Sequence, residues 1–124
     1  MTANQKNAFE PNKEQNECII SKANKLLVVA GPGTGKTYTV VEKIKYLISK
    51  NVNPERILCL TFSDTGATEM RNRVRKELNN QSLKVNIYTY HGFCNELISE
   101  EPEAFGIADN YRVISNAMAT KLLK

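Results

Sequence analysis

Leu26-Leu27-Val28-Val29-Ala30-Gly31-Pro32-Gly33-Thr34-Gly35-Lys36-Thr37 is the stretch whose reading decides the fold. Its first four residues form an apolar run that reads as a buried strand. The segment from Lys36 to Ser49 carries Val40, Val41, Ile44, Leu47 and Ile48 at helical spacing, so the pattern predicts a helix with those five on its buried face. Between strand and helix lies a glycine-rich turn, and the three parts together make a phosphate-binding loop. Glycines let the backbone curl until successive N–H groups face one concavity, and the helix N-terminus adds its partial positive charge there. In such a loop Lys36 meets the β- and γ-phosphates as a point charge, and the Thr37 hydroxyl holds Mg²⁺. Ala30 stands where the strict pattern has its first glycine. Alanine is the mildest replacement, and Gly31, Gly33 and Gly35 remain. A chance glycine-rich turn is the competing account, and the flanking strand and helix argue against it. The stretch implies a chain that binds a nucleoside triphosphate, or belongs to something that does.

At 124 residues the chain is at most one domain, and short for a complete nucleotide hydrolase. An apolar share of 41% suffices for a core. No apolar run reaches the roughly 18 residues of a membrane span, and Met1 to Glu17 is too polar for a secretory signal. A soluble cytoplasmic protein with no membrane partner is the expectation. Cys18, Cys59 and Cys94 lie far apart within apolar segments, which favours buried small hydrophobes over a metal site or disulfides. A net charge of +4 permits a polyanionic partner without demanding one.

Residues 1–10 are polar and read as a flexible leader. Asn12 then caps a helix expected over Lys13 to Ala23, with Cys18 and Ile19 facing inward. Gln15, three residues after the cap, completes a capping box, and from spacing alone that is the simpler account of it. Asn51-Val52-Asn53-Pro54 ends the helix that follows the phosphate loop. Arg56 to Phe62 reads as a strand covered on both faces, in parallel with the first. Ser63-Asp64-Thr65-Gly66 reads as a loop on the ligand side of an open α/β sheet. The next helix is expected from Ala67 to Leu78, with Ala67, Met70, Val74 and Leu78 on one face and Arg71, Arg73, Arg75 and Lys76 crowding the rest. Such a run can track phosphates, though more often it is a solvated face. Asn79 to Ser82 reads as a turn, and Lys84 to Thr89 as a third strand. It leads into Tyr90-His91-Gly92-Phe93 and a helix through Ile98. His91, the single histidine, sits at that strand-to-helix junction, where a ligand contact and a packing role are both open. Glu100 to Asn110 reads as a loop, Tyr111 to Ile114 as a short extended piece, and Ser115 as the cap of a last helix from Asn116. That helix meets no stop signal before Lys124.

The order of motifs resembles the UvrD/Rep/PcrA-like helicases of superfamily 1, over nearly all of residues 11–124. Asn12-Lys13-Glu14-Gln15 is similar to the family's Q motif, and AGPGTGKT to its phosphate-binding motif. LTFSDTGATEMRNRV, from Leu60 to Val74, is similar to its DNA-contacting LTFTNKAAxEMxxRI. YTYHGFC, from Tyr88 to Cys94, is similar to its TFHSFC-type motif. The phosphate loop alone is not specific to the family, whereas four motifs in this order are. The resemblance implies an incomplete α/β, P-loop (RecA-like) three-layer fold with a parallel sheet. It also implies an ATP-dependent helicase that moves 3′ to 5′ on single-stranded DNA and unwinds duplex in repair, replication or recombination. Gln15 would then read adenine. Ala30, Gly31, Pro32, Gly33, Thr34, Gly35, Lys36, Thr37 and Tyr38 would surround ATP and Mg²⁺, with Lys36 and Thr37 catalytic. Arg73 would help order the nucleotide site, and Thr61, Phe62, Ser63, Asp64 and His91 would lie along the DNA. Three departures stand out: Asp64 replaces an asparagine, Thr65 a common lysine, and Pro11 a leucine.

No apolar strand of this sequence ends in the Asp-Glu pair that holds Mg²⁺ and positions the attacking water, and no second RecA-like domain follows to supply an arginine. The expectation is therefore the first part of the first RecA-like domain, inactive as a helicase alone. Two rivals remain at this stage. A small P-loop kinase would use Asp64 as its metal-organising acid, and a truncated, non-enzymatic module would only bind nucleotide.

Overall fold

Asn12 starts the first helix as its side chain dictates. Its Oδ1 accepts from the Gln15 backbone N–H at 2.8 Å, and the Gln15 side chain returns an acceptor to the Asn12 N–H at 2.9 Å. The computed structural model describes residues 9–108 and 110–123. Most of the expected leader, residues 1–8, lies outside the described residues, as do Asp109 and Lys124. The chain divides into two compact units, one ending at Thr89 and one beginning at Tyr90.

In the first unit, helix α1 spans Lys13–Ile20 and helix α2 spans Lys36–Ser49. α2 ends on Asn51, whose φ is +63°. The Asn51 N–H bonds to the Ile48 carbonyl and the Val52 N–H to the Leu47 carbonyl, so the side-chain break read in the sequence is a left-handed C-cap. Strand β1 spans Leu58–Thr61, helix α3 spans Asp64–Leu78 and strand β2 spans Asn86–Thr89. β1 and β2 pair in parallel, Leu58 opposite Asn86 through Thr61 opposite Thr89. A helix joining two parallel strands is the βαβ unit, and the chain is α/β.

The core packs Val41 and Ile44 of α2 against Met70 and Val74 of α3, with Ile57, Val85 and Ile87 at the sheet. Ala67, Met70 and Val74 face inward as the spacing predicts. Arg71 is exposed like Arg73, Arg75 and Lys76, but it also makes a tertiary contact. Its Nε and Nη2 donate to the Ile87 carbonyl at 3.2 and 2.7 Å and anchor α3 to β2.

Several expectations are corrected. Leu26 to Val29 forms no strand, because among the described residues the sheet holds β1 and β2 only and a strand needs a partner for its backbone groups. Leu27 and Val29 are 89% and 90% exposed. Val40 is exposed too, on the side of α2 that lines the cleft beside the glycine-rich turn. α3 begins at Asp64, three residues early, because Ser63 Oγ accepts from the Gly66 N–H at 3.0 Å and caps it. The turn at Asn79 is a 3₁₀ segment, Asn79–Lys84. Cys18 and Cys59 are only half-buried, Cys59 against the core, and Cys94 is exposed. Burial nonetheless pushes the Cys59 thiol above its ordinary value.

In the second unit, helix α4 spans Tyr90–Glu100, a 3₁₀ turn spans Pro102–Phe105 and helix α5 spans Asn116–Leu122. Ser115 caps α5 as expected, accepting from the Met118 N–H at 3.3 Å. Tyr111 to Ile114 is not a strand; the Tyr111 hydroxyl instead meets Ser99 Oγ at 2.6 Å. None of this unit's described residues is buried.

Burial separates apolar side chains that look alike in sequence. Ile44→Ala, at a position 3% exposed, is expected to cost about 2–5 kcal/mol in urea unfolding of the chain. Val29→Ala is expected to stay within about 0.5 kcal/mol.

Candidate nucleotide site

The turn between Ala30 and Lys36 takes the shape its glycines permit. Gly33 and Gly35 have φ of +74° and +81°, and Gly35 is the N-cap of α2. A side chain at either would be strained. The Thr34 hydroxyl donates to the Gly31 carbonyl at 2.7 Å and the Thr39 hydroxyl to the Gly35 carbonyl at 3.0 Å, closing the turn from within. No side chain caps α2. The backbone N–H groups of Gly33, Gly35, Lys36 and Thr37 donate to no acceptor among the described residues. Orphan donors at a helix N-terminus, beside a lysine, are the features an anionic phosphate needs.

Gln15 is brought to this turn. Its Nε2 donates to the Thr34 carbonyl at 3.0 Å while its Oε1 holds the Asn12 N–H. The amide therefore serves as cap and bridge together, with one N–H and one lone pair left over. A Cβ on Gly35 would lie 2.8 Å from that Nε2, so the glycine also makes room for the glutamine. A cleft of about 540 Å³ opens here, lined by Asn12, Gln15, Gly31, Thr34 and Lys36 and, on its apolar side, by Val28, Val29 and Val40. Tyr38 lies outside it. Its hydroxyl donates to the Phe9 carbonyl at 2.8 Å and its ring stands edge-on to Phe9, centroids 4.6 Å apart. Partial burial, and then the Glu42 carboxylate, raise the Tyr38 phenol above its usual value.

The model of the UvrD/REP helicase N-terminal domain matches residues 11–124. The chain belongs to that family. It is 32% identical over 114 residues to the "ATP-dependent DNA helicase PcrA" of Staphylococcus aureus (strain NCTC 8325 / PS 47), covering 91% of this chain and 16% of the relative. It is 38% identical over 109 residues to a "Probable DNA helicase" of Mycoplasma pneumoniae (strain ATCC 29342 / M129 / Subtype 1), covering 85% and 21%. A "Probable DNA helicase II homolog" of Mycoplasma capricolum subsp. capricolum is 32% identical over 114 residues, covering 91% and 16%. The chain thus spans about a fifth or less of the length of these relatives.

Within this UvrD-type domain the remaining motif residues fall in three places. Thr61 ends β1, and its hydroxyl donates to the Ser63 carbonyl at 3.1 Å. Phe62 follows with its ring 87% exposed. Ser63 and Asp64 are the cap and first residue of α3, where a carboxylate suits the positive helix end. Arg73, two turns further along α3, pairs with Glu69 at 2.8 Å and shares a depression of about 370 Å³ with Tyr38, Glu42 and Glu77. That places Arg73 near the helix carrying Lys36 and outside the cleft at Gln15. His91 lies in the second unit, exposed in the first turn of α4. Asp64 lines an open groove on α3 together with Thr68, Glu69 and Asn72, and no phosphate-loop residue lines it. Among the described residues no three acidic, histidine or cysteine side chains converge as a metal site.

Thr39 and Lys43 were not singled out by the motifs. Thr39 has a readable signal: four residues after the cap, a threonine can bond back to the cap carbonyl. Lys43 stands two turns after Lys36, on the same face of α2.

The two left-handed glycines separate backbone strain from crowding. Gly33→Ala, with nothing within 4 Å of its added carbon, is expected to cost about 1–2 kcal/mol of stability. Gly35→Ala is expected to cost more, and a Gln15→Ala background to recover part of the excess. A urea-unfolding double-mutant cycle reads this as a coupling of about 0.5–3 kcal/mol.

Proposed function

We propose that this chain is the ATP-binding part of an ATP-dependent DNA helicase that translocates 3′ to 5′ on single-stranded DNA and unwinds duplex. One observation carries the proposal: the Gln15 side chain is hydrogen-bonded to the Thr34 carbonyl of a loop whose donors converge at the start of α2. A base-reading motif and a phosphate cradle are thereby built as one piece. The relatives' names supply the reaction class.

In this reading Gln15 presents its remaining N–H and lone pair to adenine. The N–H groups of Gly33, Gly35, Lys36 and Thr37 take the phosphate oxygens, and Ala30, Gly31, Pro32 and Thr34 shape the turn. The Lys36 ammonium neutralises charge on the β- and γ-phosphates. Thr37 offers its hydroxyl at the same end. Mg²⁺ prefers few protein ligands together with water and phosphate oxygens, and one threonine hydroxyl fits that habit. When bound, Mg²⁺ would draw charge from the γ-phosphoryl group. Tyr38 and Arg73 share a separate depression beside α2, from which they would act on the site from outside the cleft. Thr61, Phe62, Ser63 and Asp64 would meet one stretch of single-stranded DNA, with the exposed Phe62 ring stacking on a base, and His91 would meet another. The acidic pair that positions water, and an arginine from a second domain, would come from the rest of the protein. No described helix is long and apolar enough to cross a membrane.

Titration of the chain with a fluorescent ATP analogue tests the site. Lys36→Ala is expected to weaken binding roughly 10- to 150-fold, the worth of a hydrogen-bonded charge. Unchanged affinity would sink the reading. Asp64 puts a negative charge where the DNA backbone is expected. In the intact protein, Asp64→Asn should tighten single-stranded DNA binding by roughly fivefold at most, from one screened repulsion, as measured by fluorescence anisotropy at low salt.

A further inference from the structure

α1 is only eight residues long. Isolated helices below roughly a dozen residues are marginal in water, so α1 depends on what holds its ends. Its amino end is closed by the Asn12–Gln15 box and tied to the phosphate loop through the Thr34 carbonyl. Its carboxyl end has no comparable provision of its own. The last turn contains no basic residue, and Ser21 leaves the helix at ψ 132°. Helix-terminal carbonyls there lack intrahelical partners and carry the negative end of the dipole.

The missing cation comes from α2. Lys43 Nζ donates to the Ser21 carbonyl at 2.6 Å and to the Cys18 carbonyl at 3.3 Å, and it lies 5.6 Å from the centroid of the Tyr46 ring. Lys36 and Lys43 are two turns apart on one face of α2. Between them Thr39 and Val40 line the cleft opposite Gln15 and Cys18. α1 is thus pinned along that face at both ends, by Gln15 at the phosphate loop and by Lys43 at the far end. Gln15 and Ile19, its two buried residues, lie one turn apart against it.

We propose that Lys43 is a positioning residue of the nucleotide site. By closing the carboxyl end of α1, its ammonium holds the Gln15 amide at the phosphate loop, where it selects for a nucleobase. The proposal rests on the reading of Gln15 as the base reader. Lys43 itself does not line the cleft.

Two probes separate its effect from general damage: ATP, which carries a base, and inorganic tripolyphosphate, which does not. Both are titrated calorimetrically into the full chain. Lys43→Met keeps most of the aliphatic stem and removes the ammonium. It is expected to weaken ATP about tenfold, the worth of one charge-assisted hydrogen bond, and to leave tripolyphosphate unchanged. Lys43→Arg should restore the preference for ATP. Gln15→Ala should reproduce the loss, and adding Lys43→Met to it should cost nothing further. Amide hydrogen exchange over Asn16 to Ile20 should speed up in Lys43→Met.

Equal weakening of both ligands would overturn the proposal, because it would reduce Lys43 to a structural residue. Losses that add fully in the double variant would overturn the route through Gln15. A wild-type chain that binds neither probe would overturn the nucleotide reading itself. Exchange over α1 would then still decide whether Lys43 holds that helix, and unchanged exchange would overturn this too.

Discussion

The arrangement depends on backbone that only glycine adopts without strain. Gly33 and Gly35 turn the chain left-handed on either side of Thr34, so the Thr34 carbonyl faces α1 while the following N–H groups face outward. Two consequences follow from one geometry. The outward donors have no acceptor among the described residues and are left for an anion. The inward carbonyl is satisfied by Gln15, which approaches so closely that a Cβ on Gly35 would displace it. An alanine at position 30 is compatible with this shape, because neither left-handed position falls there.

What was legible in the sequence was whatever depends on local chemistry. The Asn12 and Ser115 caps, the break after α2 and the inward face of α3 all follow from residues a few positions apart. Family membership was legible for a different reason, the order of four short motifs. Less legible was anything set by a distant partner. Arg71 reads as one of four basic residues on a solvated face, yet it donates twice to a carbonyl of β2. Lys43 carries no motif, and its acceptors belong to the end of a helix more than twenty positions earlier in the chain. Gln15 was legible as a cap, but its bond to Thr34 was not. Asp64 was placed in a loop, although its position after a serine cap makes it a first-turn acid.

The segment Leu26 to Val29 shows why an apolar run predicts an environment before it predicts a strand. Its composition suits a position covered on both faces, but hydrogen-bonded neighbours are a separate requirement. β1 and β2 have each other and are strands. Leu26 to Val29 pairs with neither, and its side chains remain exposed beside the cleft.

α2 is the element against which both α1 and α3 pack. One face carries the phosphate loop's lysine and receives α1. Another packs Val41 and Ile44 against Met70 and Val74 of α3, whose first turn holds Ser63 and Asp64. Two kinds of contact join α2 to α3, and their magnitudes differ. Lys45 bridges Glu42 at 2.8 Å and Glu77 at 3.3 Å, and the Glu42 hydrogen bond, set against partial burial, raises its ammonium above the usual value. The cross-helix pair is about one-third exposed on the lysine and 45% exposed on Glu77, so solvent limits it to roughly 0.2–1 kcal/mol. Each buried aliphatic side chain across the same interface contributes about 1.5–3 kcal/mol. The apolar seam therefore dominates. A close-packed seam moves as a block rather than bending, so the apolar contacts hold α2 and α3 together and the Lys45 bridge fixes only the register between them.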